Sequence, residues 1–293
     1  MSLIASALLA VGAATAAPPD DPPGDPIVVT GTQALPTIRQ AIRQVTAAPV
    51  EDQLARWRAP VCVGVVGVSK SVGVRVIGRI EAAAKDAEIA LARHPCKANA
   101  FVTFTSDGAT LAKLFEKKRS RNFAAMALSE SKTLLGSDLP IRWWYSYETT
   151  GADGRPLVDS AAAIGANASR TSGVNLPARV TSSYGSSLVG TKFNVDVVAA
   201  TVIVDVTLAN GRSLDAVADY AGRIILGPTR MPVKAADQST ILTLFSSTTA
   251  SPDQLTRFDR AYLWALYKLP AQRAAWTLRG KFAALVADRM NQD

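Results

Sequence analysis

The chain has 293 residues, two cysteines, a single histidine and a formal net charge of +8. Its length bounds it to one or two domains with room for a large core, and 48% hydrophobic with 19% charged residues is globular rather than disordered or fibrous composition. One imidazole excludes the usual hydrolytic zinc site, which needs several protein ligands, commonly a pair of histidines, and a base.

In chain order, Leu3 to Ala14 is apolar or small and carries no charge, and Ala14-Thr15-Ala16 fits a small-x-small cleavage site. Residues 1–16 are therefore expected to be a signal peptide, too short to span a bilayer. The Pro-rich stretch 17–34 is expected to be a flexible lead-in, followed by a single domain over 35–293. A periplasmic or secreted location follows, with no transmembrane segment after cleavage. In an oxidising compartment Cys62 and Cys96 are expected to form a disulfide, two buried thiols being the alternative.

Pro36 with Ile38, Ala41, Ile42 and Val45 predicts an amphipathic helix, and Leu54 with Trp57 a second short one. The apolar run Val61 to Val68 predicts a buried strand and 72–92 a helix. Ala100 to Thr105 predicts another strand, and Asp107 caps the helix after it. Two short helices are expected in 120–136, and Ile141 to Glu148 reads as an aromatic strand. Residues 150–192, rich in Gly, Ser, Ala and Asn, read as an irregular insertion. Val195 to Leu208 predicts a strong strand, and Ser213 caps a helix that Gly227-Pro228 stops. From 213 to 293 the chain is expected to be mostly helical, one helix starting at Ser251-Pro252-Asp253-Gln254 and a last one covering 272–290. The expected fold class is α+β: a mixed sheet with packed helices and a helical C-terminal part.

Few motifs carry chemistry. Gly64-Val65-Val66-Gly67-Val68-Ser69-Lys70-Ser71 sits between a strand and a helix, as a phosphate loop does, but Ser69 stands where such a loop needs Gly. His94, between Arg93 and Pro95, is the sole base a triad could use, and no G-x-S-x-G elbow is present. Ser129-Glu130-Ser131-Lys132 has the S-x-x-K spacing without its companion motifs. Trp143-Trp144-Tyr145 suits either core packing or a carbohydrate platform. The dense basic cluster Lys117-Lys118-Arg119-Ser120-Arg121 falls where a helix should end. It complements the helix dipole or meets an envelope polyanion. Nucleic acid is disfavoured, because no aromatic residues interleave the basic ones.

Cys96-x-x-Asn99, Val217-Ala218-Asp219-Tyr220-Ala221, Thr240 to Phe245 and Leu255-Thr256-x-Phe258-Asp259-Arg260-Ala261-Tyr262-Leu263 together resemble uncharacterised exported proteins of Gram-negative bacteria. Over residues 60–270 the layout is distantly similar to secreted zincin-like proteins of unknown function. The resemblance implies a degenerate zincin-like fold. Its metal-bearing helix would be Ser213 to Leu226, where Asp219, Tyr220 and Arg223 are the polar residues. None of the zinc ligands carries over, so no metal and no cofactor is expected, and those three residues become the cleft candidates. The resulting expectation is a non-catalytic envelope binding or scaffold protein with an unknown envelope protein or polyanion as partner. A metal-independent secreted hydrolase is the alternative, and a nucleotide-binding domain stands behind it.

Overall fold

The computed structural model describes residues 35–47, 53–118, 126, 128–136, 138–151, 158–159, 179–180, 190–191, 193–233, 238–246 and 251–292. The expected signal peptide, the expected lead-in and most of the expected 150–192 insertion lie outside them.

One long strand, β7 (Phe193–Asp205), organises the sheet. Its β-branched run has the propensity for a strand buried on both faces, and Val195, Val197, Val202, Ile203 and Val204 are all buried. Along one edge it pairs antiparallel with β4 (Ile141–Gly151). The other edge is shared, end to end, by two parallel strands. β1 (Arg56–Trp57) pairs with Asp196 and Val197, and β3 (Ala100–Thr105) pairs with Ala200 to Asp205. β2 (Val63–Val66) extends the sheet beyond β3, again parallel. Ser146 pairs with Ala199 and Tyr147 with Val197, so Val198 is an extra residue that bulges β7. Short β5 (Val158–Asp159) and β6 (Arg179–Val180) form a separate antiparallel pair.

Helices cover the sheet. α2 (Lys70–Asp86) links β2 to β3 and packs on α5 (Leu214–Leu226). Their approach is close at Gly222, where a Cβ would stand 3.3 Å from Ile80. α3 (Gly108–Lys118) packs on β3, β4 and β7, and its Phe115 ring lies 5.4 Å from Trp144. α4 (Leu128–Gly136) packs beside it. α1 (Leu35–Val45) buries Ile38, Ala41, Ile42 and Val45, the stripe its periodicity predicts, and packs on α7 (Ala275–Gln292). α6 (Arg257–Lys268) packs on α7. The result is the expected mixed α and β architecture: seven described helices, a mainly parallel five-stranded sheet and a helical C-terminal part.

Several expectations need correction. Trp57 is in a strand, not a helix, because the parallel ladder to β7 and the bond from its indole to Ile225 O (2.7 Å) outweigh local propensity. α2 stops at Asp86. Glu88 then adopts φ 56°, outside any right-handed helix, and Leu91 bridges to Val61. β2 is an edge strand whose Val66 is 53% exposed, so the apolar run is only half buried. Within 120–136 the described residues hold one helix, α4. α6 starts at Arg257, not near Ser251. Thr256 accepts from the Asp259 amide while Asp259 accepts from the Thr256 amide, and this capping box supplants the weaker signal upstream. Ser213 caps α5 as expected, its Oγ accepting from Ala216 N at 3.1 Å.

Candidate functional site

The three cleft candidates are interior. Asp219 is 4% exposed, forms a two-pronged ion pair with Arg79 and accepts from Leu255 N at 3.0 Å. It therefore fastens α5 to α2 and to the segment before α6. Tyr220 packs edge-on to Phe245, centroids 5.4 Å apart, and burial pushes its phenol up, so it stays neutral. Arg223 is fully buried. Its guanidinium lies 3.8 Å from the Tyr262 ring centroid, Nη1 donates to Gly227 O and Thr229 Oγ1, and Nε stands 3.4 Å from Asp259 Oδ1. Asp219 and Arg223 hold helices together, and Tyr220 packs α5 against β4 and the segment at Phe245.

The aromatic strand is also core. Trp143 donates to Thr229 O at 3.0 Å and Tyr145 to Ile224 O at 2.9 Å, while Trp144 meets Phe115 on the opposite face. Both faces are covered, so these rings form no carbohydrate platform. Ser69 caps α2 and lies 3.1 Å from Ser71 Oγ. His94 is exposed, not at a helix end, and bonds Glu81 Oε1 at 2.8 Å. Ser129 and Lys132 are exposed on α4, and Lys117 and Lys118 are exposed in the last turn of α3. Cys62 and Cys96 stand at bonding distance, Sγ to Sγ 2.12 Å.

A cavity of about 330 Å³ opens instead where β1 meets the first half of β7. Arg56 and Asp196 are paired in register, and strand alternation sets Arg58 and Asn194, two residues along, on the same face. On β4, Thr150 pairs with Asn194 and Glu148 with Asp196. The lining places five planar polar side chains, Gln53, Arg56, Arg58, Asn194 and Asp196, beside Trp57 and Tyr267.

Each polar group is held by a named partner. Arg56 Nη1 donates to Leu266 O (3.0 Å) and Leu269 O (2.7 Å), satisfying carbonyls left over at the end of α6. Burial lowers the Arg56 pKa, while the Tyr267 and Asp196 fields oppose that effect. Arg58 Nε lies 3.3 Å from the Asp196 carboxylate, which also accepts from Thr150 Oγ1 at 3.2 Å. Gln53 Nε2 donates to Thr191 Oγ1 at 2.7 Å. Tyr267 donates to Leu226 O and accepts from Trp57 N, and burial pushes its phenol up.

Asn194 is the exception. It is 2% exposed, and its Nδ2 donates to Gly151 O at 3.0 Å, which fixes the amide orientation. Oδ1 has no hydrogen-bond partner among the described residues. The sequence carried a signal for this site: Arg56-x-Arg58 and Asn194-x-Asp196 each have the spacing of side chains on one strand face. Reading Trp57 as helical concealed the first pair, and nothing local shows that the two pairs meet.

Among the described residues no group of three or more His, Cys, Asp or Glu side chains could hold a metal ion, and no helix is long and apolar enough to cross a membrane. Comparison with protein-family models, curated proteins and solved structures gives no match to this chain.

Proposed function

We propose that the chain is a non-catalytic binding protein of the bacterial envelope and that the β1–β7 cavity is its ligand site. The observation that carries this is the cavity's polar lining, which includes Asn194, a residue whose buried Oδ1 has no hydrogen-bond donor among the described residues. Leaving such an atom unsatisfied costs about 1–3 kcal/mol. The volume lies at the lower end of the roughly 300–1,000 Å³ typical of small-molecule sites. The lining also combines a few placed polar groups with apolar and aromatic walls, as such sites do. Export belongs to the same proposal, supported by the cleavage pattern at Ala16 and by a cysteine pair at bonding distance. Kinship with zincin-like proteins that have lost their zinc ligands rests on the quoted motifs alone.

Equilibrium dialysis of the purified protein against a library of sugars, organic acids, amines and short peptides tests the binding claim. The native chain should retain at least one compound that Asn194→Leu releases. Identical retention by the two proteins across the whole library refutes it.

A further inference from the structure

We infer that the cavity binds a small organic monocarboxylate through the open edge of the Arg56 guanidinium; this rests on the binding proposal and names its chemistry. Charge is the first reason. Among the described residues the lining sets Arg56 and Arg58 against one carboxylate, Asp196, which leaves one positive charge in excess. Glu148 stands in register with Asp196 on β4, but it is exposed and outside the lining. The Arg58 side chain is 47% exposed and that of Asp196 12%, so an entering ligand meets the cation more readily than the carboxylate. A singly charged anion balances the excess. A phosphate monoester, with a charge of about −1.5 to −2 at neutral pH, overshoots it beside Asp196.

Geometry is the second reason. Arg56 Nη1 is held by the carbonyls of Leu266 and Leu269. Its Nε and Nη2 have no partner among the described residues, and neither is sealed from solvent. These two nitrogens donate in parallel along one edge of the guanidinium and match the two oxygens of a carboxylate. The chain uses the same edge elsewhere. Arg75 donates from Nε to Asp215 Oδ1 at 2.7 Å and from Nη2 to Oδ2 at 2.8 Å, and Arg79 grips Asp219 in the same way. At Arg56 no carboxylate of the described residues takes that edge, and Asp196 is instead engaged by Arg58 and Thr150. Burial strips water from the Arg56 cation and is the largest influence on it, and an incoming carboxylate offsets that cost. Leu54, Leu269 and Ala271 give the rest of the ligand an apolar wall.

The test is isothermal titration calorimetry on the full purified chain with hexanoate and benzoate, each alone. Hexanamide and benzamide are the uncharged counterparts, phenyl phosphate the more highly charged anion and hexylamine the cation. At least one carboxylate should saturate the protein, about tenfold or more tightly than its amide, with an affinity that falls as salt is added. Arg56→Lys keeps the charge but loses the paired donors, and Arg58→Ala removes the excess charge. Each should weaken carboxylate binding by about tenfold or more. Arg58 is an exposed side chain, so its removal leaves folding intact, and it decides the matter alone if circular dichroism shows Arg56→Lys unfolded. Carboxylate binding unchanged in either folded variant places the ligand elsewhere and overturns the inference. Amides that bind as tightly as the carboxylates, phenyl phosphate that binds more tightly than both, or hexylamine that saturates the protein while both fail overturn it but uphold a ligand site. Silence from every probe overturns it too, and the library dialysis then decides the binding proposal separately.

Discussion

Asp259 shows how much one buried carboxylate can hold. It is fully buried, and its Oδ1 accepts from Thr240 Oγ1 at 2.6 Å. Its Oδ2 accepts from Ile241 N at 2.7 Å and from the amide and hydroxyl of Thr256 at 3.1 and 2.9 Å. The same side chain thus caps α6, pins the 3-10 turn Ile241–Thr243 and faces the buried Arg223 guanidinium. Four donors to one carboxylate offset its desolvation. Asp259→Ala removes all of them and leaves Arg223 facing an apolar gap. Urea unfolding should show a loss of about 3–5 kcal/mol, the scale for breaking a buried ion pair by deleting one partner. Adding Arg223→Met should cost less than the sum of the single changes, because no unpaired charge then remains.

At the scale of elements, two glycines in one β–α unit behave oppositely. Gly67 turns the chain from β2 toward α2 with φ +83°, and a Cβ there would stand 2.0 Å from Phe104 O. Gly78 lies inside α2 with open space around its missing Cβ. Gly67→Ala meets both a disfavoured conformation and a backbone clash, so thermal unfolding should register a loss of at least about 2 kcal/mol. Gly78→Ala should gain about 0.5–1 kcal/mol by lowering the entropy of the unfolded chain. A Tm that falls for Gly78→Ala would contradict the open helix face. The same two-scale logic explains which elements were legible. The stripe of α1 and the Ser213 cap are local signals, and the structure carries both. Trp57 depends on a partner far along the chain, the Ile225 carbonyl, so local patterning misassigned it. The start of α6 is set by the local Thr256–Asp259 capping box, and it was misplaced because the Ser251-Pro252 signal upstream was read instead. The cavity was harder still, because its polar residues come from segments about 140 positions apart and meet only through β1–β7 pairing.

For the whole molecule, the disulfide is a staple on an edge that hydrogen bonds already secure. Cys62 N donates to Asn99 Oδ1 at 2.8 Å, Asn99 Nδ2 donates to Pro60 O at 3.1 Å, and Cys62 O accepts from the Asn99 and Ala100 amides. The bridge adds a constraint on the unfolded chain across a separation of 34 residues. In the loop-entropy model that amounts to about 3–4 kcal/mol. Cys62→Ala with Cys96→Ala should therefore lower the unfolding free energy obtained from urea titration by that amount while leaving the far-ultraviolet circular dichroism of the folded protein unchanged. Loss of the folded spectrum without denaturant would show that the Asn99 clamp alone cannot hold β2 to β3.

Composition and local pattern by themselves determined that this chain mixes helices and strands, where most of its strong helices run, and that one histidine cannot build the usual zinc centre. Tertiary structure alone decided that Asp219, Tyr220 and Arg223 are interior fasteners and that Arg56, Arg58, Asn194 and Asp196 share one wall. The physical reason is that periodicity records which side of an element faces inward, whereas a site is made by strand pairing between segments whose separation leaves no mark on either one.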